Sequence, residues 1–299
     1  MGVLDPESIT AIASTTNVDA IADAVKSSQC ILFLGAGVHF PSKKYNYPES
    51  ECPPLGGDFS VSLADSCGFR QRFPKESPTN LQRVALCYEI KNSRWALVQE
   101  IRNAVQVGKK PSPALRALAK LPFKLVITTN YDQLFERALR EAGKEPKVGV
   151  YNPEEFTPTS DYPNFTPQEP FVFKLHGDIQ RPESIVITDE DYIQFILRMN
   201  DKETFQPVPM SFRYNFTRWP TIFVGYSLLD YNLRLLFKTL RWRIDRAQIP
   251  PTYSVDPFPD PLIFDIWHNQ KKYVTFIASD VWTFVPELYL KVTGEEMPS

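Results

Sequence analysis

Short runs of consecutive apolar residues alternate along the chain with longer stretches in which apolar residues recur every three or four positions. The first run, from Cys30 to Leu34, ends at the turn sequence Gly35-Ala36-Gly37. A continuous apolar run of this length is typical of a strand that is buried on both faces of a sheet. Further strands are predicted, in chain order, at 124–129, 147–151, 171–175, 184–188, 221–224 and 273–278.

The stretches of helical spacing predict helices between these strands. The first helix follows the capping pattern Thr16-Asn17-Val18-Asp19, and Gly143 is the expected C-terminal stop of a later one. The other helices are predicted at 81–107 (two helices broken near Asn92-Ser93), 132–141, 191–199, 229–244 and 282–292.

Strands that alternate with helices predict an α/β fold: a Rossmann-like, mainly parallel sheet with helices on both faces. Residues 41–78 are rich in Pro, Gly and Tyr and show little periodicity. Because this segment is too long for a simple connection, it is interpreted as a functional loop or a small irregular insert. We therefore expect one domain over 1–299, with a loop-rich and helical insert at about 41–120.

Composition narrows the class of protein. The chain has 299 residues, 33 basic and 35 acidic, which gives a net charge of −2 and no broad electrostatic footprint for nucleic acid. We therefore expect no direct nucleic-acid binding by the chain alone. No apolar run is long enough to cross a bilayer and the start lacks a signal-peptide pattern, so a soluble cytoplasmic protein with no membrane partner is expected. Four cysteines without a C-x-x-C pair argue against a four-thiolate zinc site, and no metal site is expected.

Four of the predicted strands end in polar or glycine-containing sequences. These are Gly-Ala-Gly at 35–37, Thr-Thr-Asn at 128–130, Leu-His-Gly at 175–177 and Gly-Tyr-Ser at 225–227. In an open parallel sheet, ligands bind beyond the carboxyl ends of the strands. The four sequences are therefore the first place to look for a ligand site.

The glycine-containing ends allow a backbone to approach a phosphate closely, or form tight structural turns. The dehydrogenase fingerprint would need glycine at Phe40, and no P-loop sequence is present. At the other glycine end, Gly225 and Ser227 indicate phosphate or ribose contacts. An α/β-hydrolase elbow would require glycine at Leu229. Asp230 and Asn232 could bond a ribose or cap the following helix.

Asn130 and His176 are the residues best suited to chemistry. The Asn130 amide offers a donor and an acceptor, which suits a sugar hydroxyl or a water molecule. A histidine beside a glycine at a strand end, as at His176, can take a proton near neutral pH, although a lone histidine is usually structural. Asp132 is interpreted either as a ligand contact or as a cap of the helix that follows.

Taken in order, GAG at 35–37, TxNxD at 128–132, KLHG at 174–177 and GYSxxDxN at 225–232 resemble the sirtuin-type NAD-binding fold. More narrowly, the chain is similar to the prokaryotic sirtuin-like domains that hydrolyse NAD in antiphage defence, over about residues 25–295. The resemblance implies an NAD glycohydrolase that releases nicotinamide and ADP-ribose and depletes NAD in abortive infection. NAD is its substrate, and no zinc is expected.

The resemblance also implies roles for individual residues. Asn130 would hold the nicotinamide-side ribose and a water molecule, and His176 would be the catalytic base. The NAD-binding set would be Gly35, Ala36, Gly37, Val38, Asp132, Gly225, Ser227, Asp230 and Asn232. Within it, Asp132 would contact the nicotinamide amide, and the glycine turn would lie against the phosphates.

The sequence departs from protein-deacetylating sirtuins. It lacks their paired cysteines, Thr129 replaces a glutamine, and the glycine turn continues into Val38-His39-Phe40-Pro41. The alternatives are a non-catalytic module that senses NAD or ADP-ribose, and an NAD-dependent protein deacylase. As partners, the resemblance implies further copies of the chain and a HerA-like ATPase or helicase, or a short Argonaute.

Overall fold

The fold is a single seven-stranded sheet, seen in a computed structural model that describes residues 18–151, 165–200, 214–228, 250–270 and 274–298. Every strand pairing in it is parallel. The strands are β1 (Ile31–Leu34), β2 (Leu125–Thr128), β3 (Lys147–Val150), β4 (Phe171–Lys174), β5 (Thr221–Val224), β6 (Thr252–Val255) and β7 (Thr275–Ile277). Their order across the sheet is β3-β4-β2-β1-β5-β6-β7.

The register brings the carboxyl ends of the central strands side by side. Leu34 of β1 lies opposite Thr128 of β2 and Val224 of β5, and Thr128 lies opposite Lys174 of β4. The turns that follow these four strands therefore leave the sheet at one edge, as expected for the polar strand ends.

Helices and short helical turns surround the sheet. The α-helices are α1 (Asp19–Lys26), α2 (Gly56–Cys67), α3 (Phe69–Arg72), α4 (Leu81–Lys91), α5 (Arg94–Val105), α6 (Pro113–Lys120), α7 (Leu134–Glu141), α8 (Asp189–Asn200), α9 (Pro261–Phe264) and α10 (Val281–Thr293). Single-turn 3-10 helices lie at Ala36–His39, Glu49–Glu51 and Pro182–Ser184, and a π-helix at Asp265–Gln270.

Both faces of the sheet are covered, so the predicted Rossmann-like α/β architecture is confirmed. Leu32 and Leu34 pack into a core shared with α1, α6, α7 and α10. The alternate residues, Ile31 and Phe33, face a second core that includes α8 and α9. Because successive side chains of a strand point to opposite faces, a continuous apolar run fits a strand covered on both sides.

The segment between β1 and β2 carries a third core, formed by α2, α4 and α5 together with Ile179, Ile185 and Ile187 from the loop after β4. The predicted break between α4 and α5 is confirmed. Its cause is a new cap: Ser93 Oγ accepts a hydrogen bond of 3.1 Å from the backbone N–H of Ala96.

Several predictions differ from the structure. Residues 184–188 do not form a strand: the segment starts in a 3-10 turn, Ile185 and Ile187 are buried in the third core, and Val186 is buried in the second. Residues 41–78 contain α2 and α3 and are not purely irregular, while α6 and β6 were not predicted. The first helix begins at Asp19 with Val18 as its N-cap and no side-chain cap; Thr16 and the predicted helix at 229–244 lie outside the described residues.

Candidate functional site

A cavity of about 960 Å³ lies at the carboxyl edge of the sheet, between the strand ends and the helices of the third core. Seven of the predicted site residues contribute to its wall: Ala36, Gly37, Asn130, Asp132, His176, Gly225 and Ser227. Gly35 and Val38 are buried behind that wall. Asp230 and Asn232 lie outside the described residues. The structure thus brings together the strand ends that the sequence indicated.

The two glycine turns of the wall pack against each other. The Gly35 N–H donates to the carbonyl of Val224 (3.0 Å), and the Gly37 N–H donates to that of Gly225 (2.8 Å). A Cβ on Gly37 would lie 2.9 Å from the Gly225 oxygen, and one on Gly225 would overlap the backbone N of Val38. Gly225 also has a φ of +69°, a left-handed conformation that favours glycine. These glycines are therefore required by the close contact of the turns, whatever binds in front of them.

Asn130 is held by its backbone and leaves its side chain available. Its N–H donates to Thr128 Oγ1 (3.0 Å), and the same hydroxyl donates to the carbonyl of Leu34 (3.1 Å). Thr128 thereby ties the turn after β2 to the end of β1. No hydrogen bond from the Asn130 amide to another described residue is present, so its donor and acceptor groups can serve a ligand in the cavity.

His176 is buried where the chain leaves β4, and its ring is fixed by α8. Tyr192 Oη lies 3.3 Å from Nδ1 of the imidazole, and the Phe195 ring meets the imidazole edge-on. The backbone turn is fixed as well, because the Val186 N–H donates to the His176 carbonyl (3.0 Å) and Gly177 has a φ of +92°. His176 therefore has a defined orientation at the cavity wall.

Asp132 makes two contacts, one with the start of α7 and one with His39. Its Oδ1 accepts a hydrogen bond from the Leu134 N–H (2.8 Å), which caps the start of α7. Its Oδ2 lies 3.4 Å from Nε2 of His39, and both side chains are buried. Burial alone would raise the pKa of Asp132, but His39 and the Lys174 ammonium hold that pKa below its usual range. Asp132 is thus an ionised carboxylate at the cavity wall.

His39 is a cavity residue to which sequence reasoning gave no role. Its exposed fraction is 1%, and neither ring nitrogen has a hydrogen-bond partner of good geometry among the described residues. The available signal was its position, directly after the glycine turn that follows β1. A residue at this position lies at the carboxyl edge of the sheet, where ligands bind, so its polar ring could have been named as a candidate site residue.

Lys174 connects the loops that carry Asn130 and His176. Its buried ammonium lies 3.0 Å from Asp178 Oδ2 and 3.3 Å from Glu136 Oε1, and it donates to the backbone carbonyls of Tyr131 and Asp132. Burial would lower the pKa of Lys174, but these carboxylates raise it above its usual value. Burial raises the pKa of Glu136, and the Lys174 charge opposes that rise in part. A buried cation thus joins the turns after β2 and β4.

The opposite wall comes from β6 and α10, and it was missed because β6 was not predicted. Asp256 follows β6 and accepts a 3.0 Å hydrogen bond from the Phe258 N–H. Burial raises the pKa of Asp256. Phe258, 88% exposed, and Trp282 of α10 add aromatic surface to this side of the cavity.

The cysteines, histidines and acidic residues that the structure describes do not assemble a metal site. All four cysteines are free and buried, and the described residues contain no group of three or more His, Cys, Asp or Glu side chains able to hold a metal ion. Within the same residues, no helix combines the length and apolar character that a membrane crossing requires.

Comparison with known proteins adds a family relationship. A family profile described as "SIR2-like domain" matches residues 124–276. The protein "NAD(+) hydrolase ThsA" of Enterococcus faecium is 28% identical over 235 residues, which is 78% of this chain and 44% of that protein. "Defense-associated sirtuin 2" of Bacillus subtilis is 23% identical over 248 residues, 82% of this chain and 22% of that protein.

A solved structure titled "Sir2-p53 peptide-NAD+" aligns with 93% of this chain and 99% of that chain, with a TM-score of 0.40 and 18% identity. The present chain spans less than half the length of the two curated relatives described above.

Proposed function

The chain belongs to the SIR2-like domain family, and from that premise we propose that it is an NAD glycohydrolase. It would break the bond between nicotinamide and ribose to give nicotinamide and ADP-ribose. The observation that carries the proposal is the cavity that places Asn130, His176 and the Ala36-Gly37 turn on one wall. Relatives named NAD(+) hydrolase ThsA, at 26–29% identity, support it.

In the reaction we propose, the carbon–nitrogen bond breaks first, and its electron pair leaves with the nicotinamide nitrogen. The remaining ribose carbon passes through an oxocarbenium-like transition state, as in sugar hydrolysis generally. The free amide of Asn130 would hold a ribose hydroxyl or the attacking water. His176 would accept the proton that this water loses as its oxygen bonds to the ribose carbon. A single general base of this kind contributes about 10²–10⁴-fold to the rate.

The phosphates and the adenosine half of NAD would extend from Asn130 and His176 along the cavity wall. Ala36 and Gly37 would lie against the phosphates, where the backbone of the turn borders the cavity. Gly35 and Val38 would support that turn from behind. Gly225 and Ser227 would contact the adenosine half. On the sequence pattern alone, Asp230 or Asn232 would bind the adenosine ribose. Asp132 would reach the nicotinamide amide from beside His39.

For the biological setting, we propose one domain over 1–299 that depletes NAD in antiphage defence. The name of the Bacillus subtilis relative, Defense-associated sirtuin 2, supports this setting. The protein would act in the cytoplasm as an oligomer of this chain, and in a complex with a HerA-like ATPase or helicase or a short Argonaute. No zinc is assigned to it.

The test is chromatography of NAD incubated with the purified chain over a range of protein concentrations. Nicotinamide and ADP-ribose are expected from the wild type, and from a Trp95→Ala control on the exposed outer side of the insert. His176→Ala and Asn130→Ala should fold but lose turnover. Full activity in both variants would overturn the residue assignment.

The same experiment separates the alternatives. NAD that binds without product, at every concentration and with candidate partners added, would favour a sensing module. Turnover of an acyl-lysine peptide together with NAD would favour a deacylase. A rise of specific activity with protein concentration would support control by assembly.

A further inference from the structure

The side chain of Tyr192 meets the imidazole of His176 at the cavity wall. Its Oη lies 3.3 Å from Nδ1, and the two rings are nearly perpendicular, with an interplanar angle of 83°. Tyr192 is 8% exposed and borders the same cavity. Sequence reasoning placed this tyrosine on a helix and assigned it no part in the site.

The start of α8 holds Tyr192 in place. The Asp191 carboxylate accepts hydrogen bonds of 3.0 Å from the N–H groups of Ile187 and Thr188, and it forms a 2.8 Å ion pair with Arg94 of α5. The Tyr192 N–H itself donates to the Thr188 carbonyl (3.0 Å). Because its backbone is anchored at the start of α8 and its side chain is buried, the phenol oxygen has little freedom to leave the imidazole.

A tyrosine hydroxyl can donate to a bare Nδ1 or accept from Nδ1–H, so the contact fits either neutral tautomer of the imidazole, but it fits the imidazolium only as an acceptor. For Nε2 to take a proton from water, the ring's own proton has to be on Nδ1. Nδ1–H then donates to Tyr192 Oη. Once Nε2 has gained the proton, the imidazolium keeps that Nδ1–H bond, now assisted by charge. One contact thus serves both states of the base.

We propose that Tyr192 is a positioning residue that accepts a hydrogen bond from Nδ1–H of His176 and so favours this tautomer, which leaves Nε2 as the nitrogen that acts as the base. This inference rests on the proposed function for its catalytic meaning. The position of the ring proton is a property of the folded protein and is measurable without turnover.

The neighbouring Phe195 supplies a matched control. Its ring packs edge-on against the same imidazole, with centroids 5.4 Å apart, but it carries no hydroxyl. Tyr192→Phe removes one oxygen and retains the ring. Phe195→Leu alters the packing and retains the Tyr192 hydroxyl. If packing alone orients His176, Phe195→Leu should change the position of the ring proton more than Tyr192→Phe does. If the hydroxyl orients it, Tyr192→Phe should have the larger effect.

The experiment is ¹⁵N NMR of histidine-labelled protein above the titration range of the ring, with the signal assigned by its loss in His176→Ala. Wild type and Phe195→Leu should show the Nδ1–H tautomer, and Tyr192→Phe should shift towards Nε2–H. In the NAD assay, kcat of Tyr192→Phe should fall about tenfold or more, as expected when a general base carries its proton on the wrong nitrogen, with KM unchanged.

A Tyr192→Phe spectrum identical to that of the wild type would overturn the inference, as would an unchanged kcat. If the wild type cleaves no NAD, the proposed function fails, while the spectra still decide whether Tyr192 sets the tautomer. The two failures are therefore distinguishable.

Discussion

The imidazole Nε2 of His39 lies 3.4 Å from Oδ2 of Asp132, and the two buried side chains link the turn after β1 to the loop after β2. Because Asp132 also caps α7, the pair connects the glycine turn to a helix on the face of the sheet. The arrangement makes the shape of the cavity dependent on an ionised carboxylate.

We expect His39→Ala to lower the free energy of unfolding at neutral pH by about 1–3 kcal/mol, because it removes a neighbour of the buried Asp132 carboxylate while the Lys174 charge remains. Urea unfolding measures the change. A loss below about 1 kcal/mol, the range of an exposed pair, would contradict this view of the contact.

The same pair predicts a pH dependence. The folded-state pKa of Asp132 is depressed, so its contribution to stability is present above its unfolded pKa of about 3.9 and is lost as the pH falls through the folded value. Asp132→Asn, which can still accept from the Leu134 N–H, lacks this contribution. Between pH 5 and 3 (about one unit either side of that unfolded pKa), the stability of the wild type should therefore fall more steeply than that of the variant. Parallel urea titrations at each pH would decide it; equal slopes contradict the prediction.

Lys174 and Glu136 should respond very differently to neutral substitutions. Lys174→Met leaves the Asp178 carboxylate and two loop carbonyls without their buried cation, and a cost of about 3–5 kcal/mol is expected. Glu136→Gln, at a carboxyl whose pKa is raised by burial, should cost about 1 kcal/mol or less. Denaturant unfolding of both variants at pH 7 gives the comparison, and the opposite order would show that Lys174 does not join the loops.

Two buried threonines, one with a hydrogen-bonded hydroxyl and one without, can be compared by the same substitution to valine. The Thr128 hydroxyl holds the Asn130 backbone, so Thr128→Val should cost about 1–2 kcal/mol of stability and also lower kcat for NAD. Thr221, at the start of β5, has a buried hydroxyl with no hydrogen-bond partner among the described residues. Thr221→Val should therefore leave kcat unchanged and raise stability by about 1 kcal/mol. Equal effects of the two changes on kcat would remove the role given to Thr128.

Glycine substitutions test the contact between the two turns. In Gly225→Ala the new methyl group would overlap the Val38 backbone at a positive φ, so a loss of more than about 3 kcal/mol is expected. At Gly57, in the first turn of α2, a methyl group would have nothing within 4 Å of it, and Gly57→Ala should stabilise by about 0.5 kcal/mol. Thermal unfolding of the two variants beside the wild type measures both changes. A Gly225→Ala protein as stable as the wild type would show that the turns can separate.

The strands at the centre of the sheet follow from the sequence to within one residue at each end. Cys30 to Leu34 predicts β1, and the runs near Leu125, Phe171 and Thr221 predict β2, β4 and β5. These strands are covered on both faces, so their apolar runs are uninterrupted and no helical period competes with them.

Other elements carried weaker or opposing signals. Thr252 and Ser254 put buried polar residues into β6, which hid both this strand and the cavity residue that follows it. Helix α2 begins with two glycines, which are poor helix formers, and its packing on α4 overrides that propensity. Ser112 followed by Pro113 is a usable helix-start signal that would have identified α6.

The site residues also differ in how far the sequence predicts them. Asn130 and His176 stand at strand ends, where position alone indicates a ligand edge. The roles of His39 and Tyr192 depend on partners from elements distant in the chain. Only the folded structure reveals those contacts, since no local spacing encodes them.

The strand order has a consequence for the timing of synthesis. β1 is central, yet its neighbour β5 comes from the last third of the chain, and Gly37 meets Gly225 only when both are in the sheet. A polypeptide still growing on the ribosome, halted after β4, holds Asn130 and His176 but no second glycine turn, no β6 and no α10. Its cavity is open along one whole side. If the chain hydrolyses NAD as proposed, it would therefore be harmless while nascent, and would acquire its activity with the addition of β5, β6 and α10.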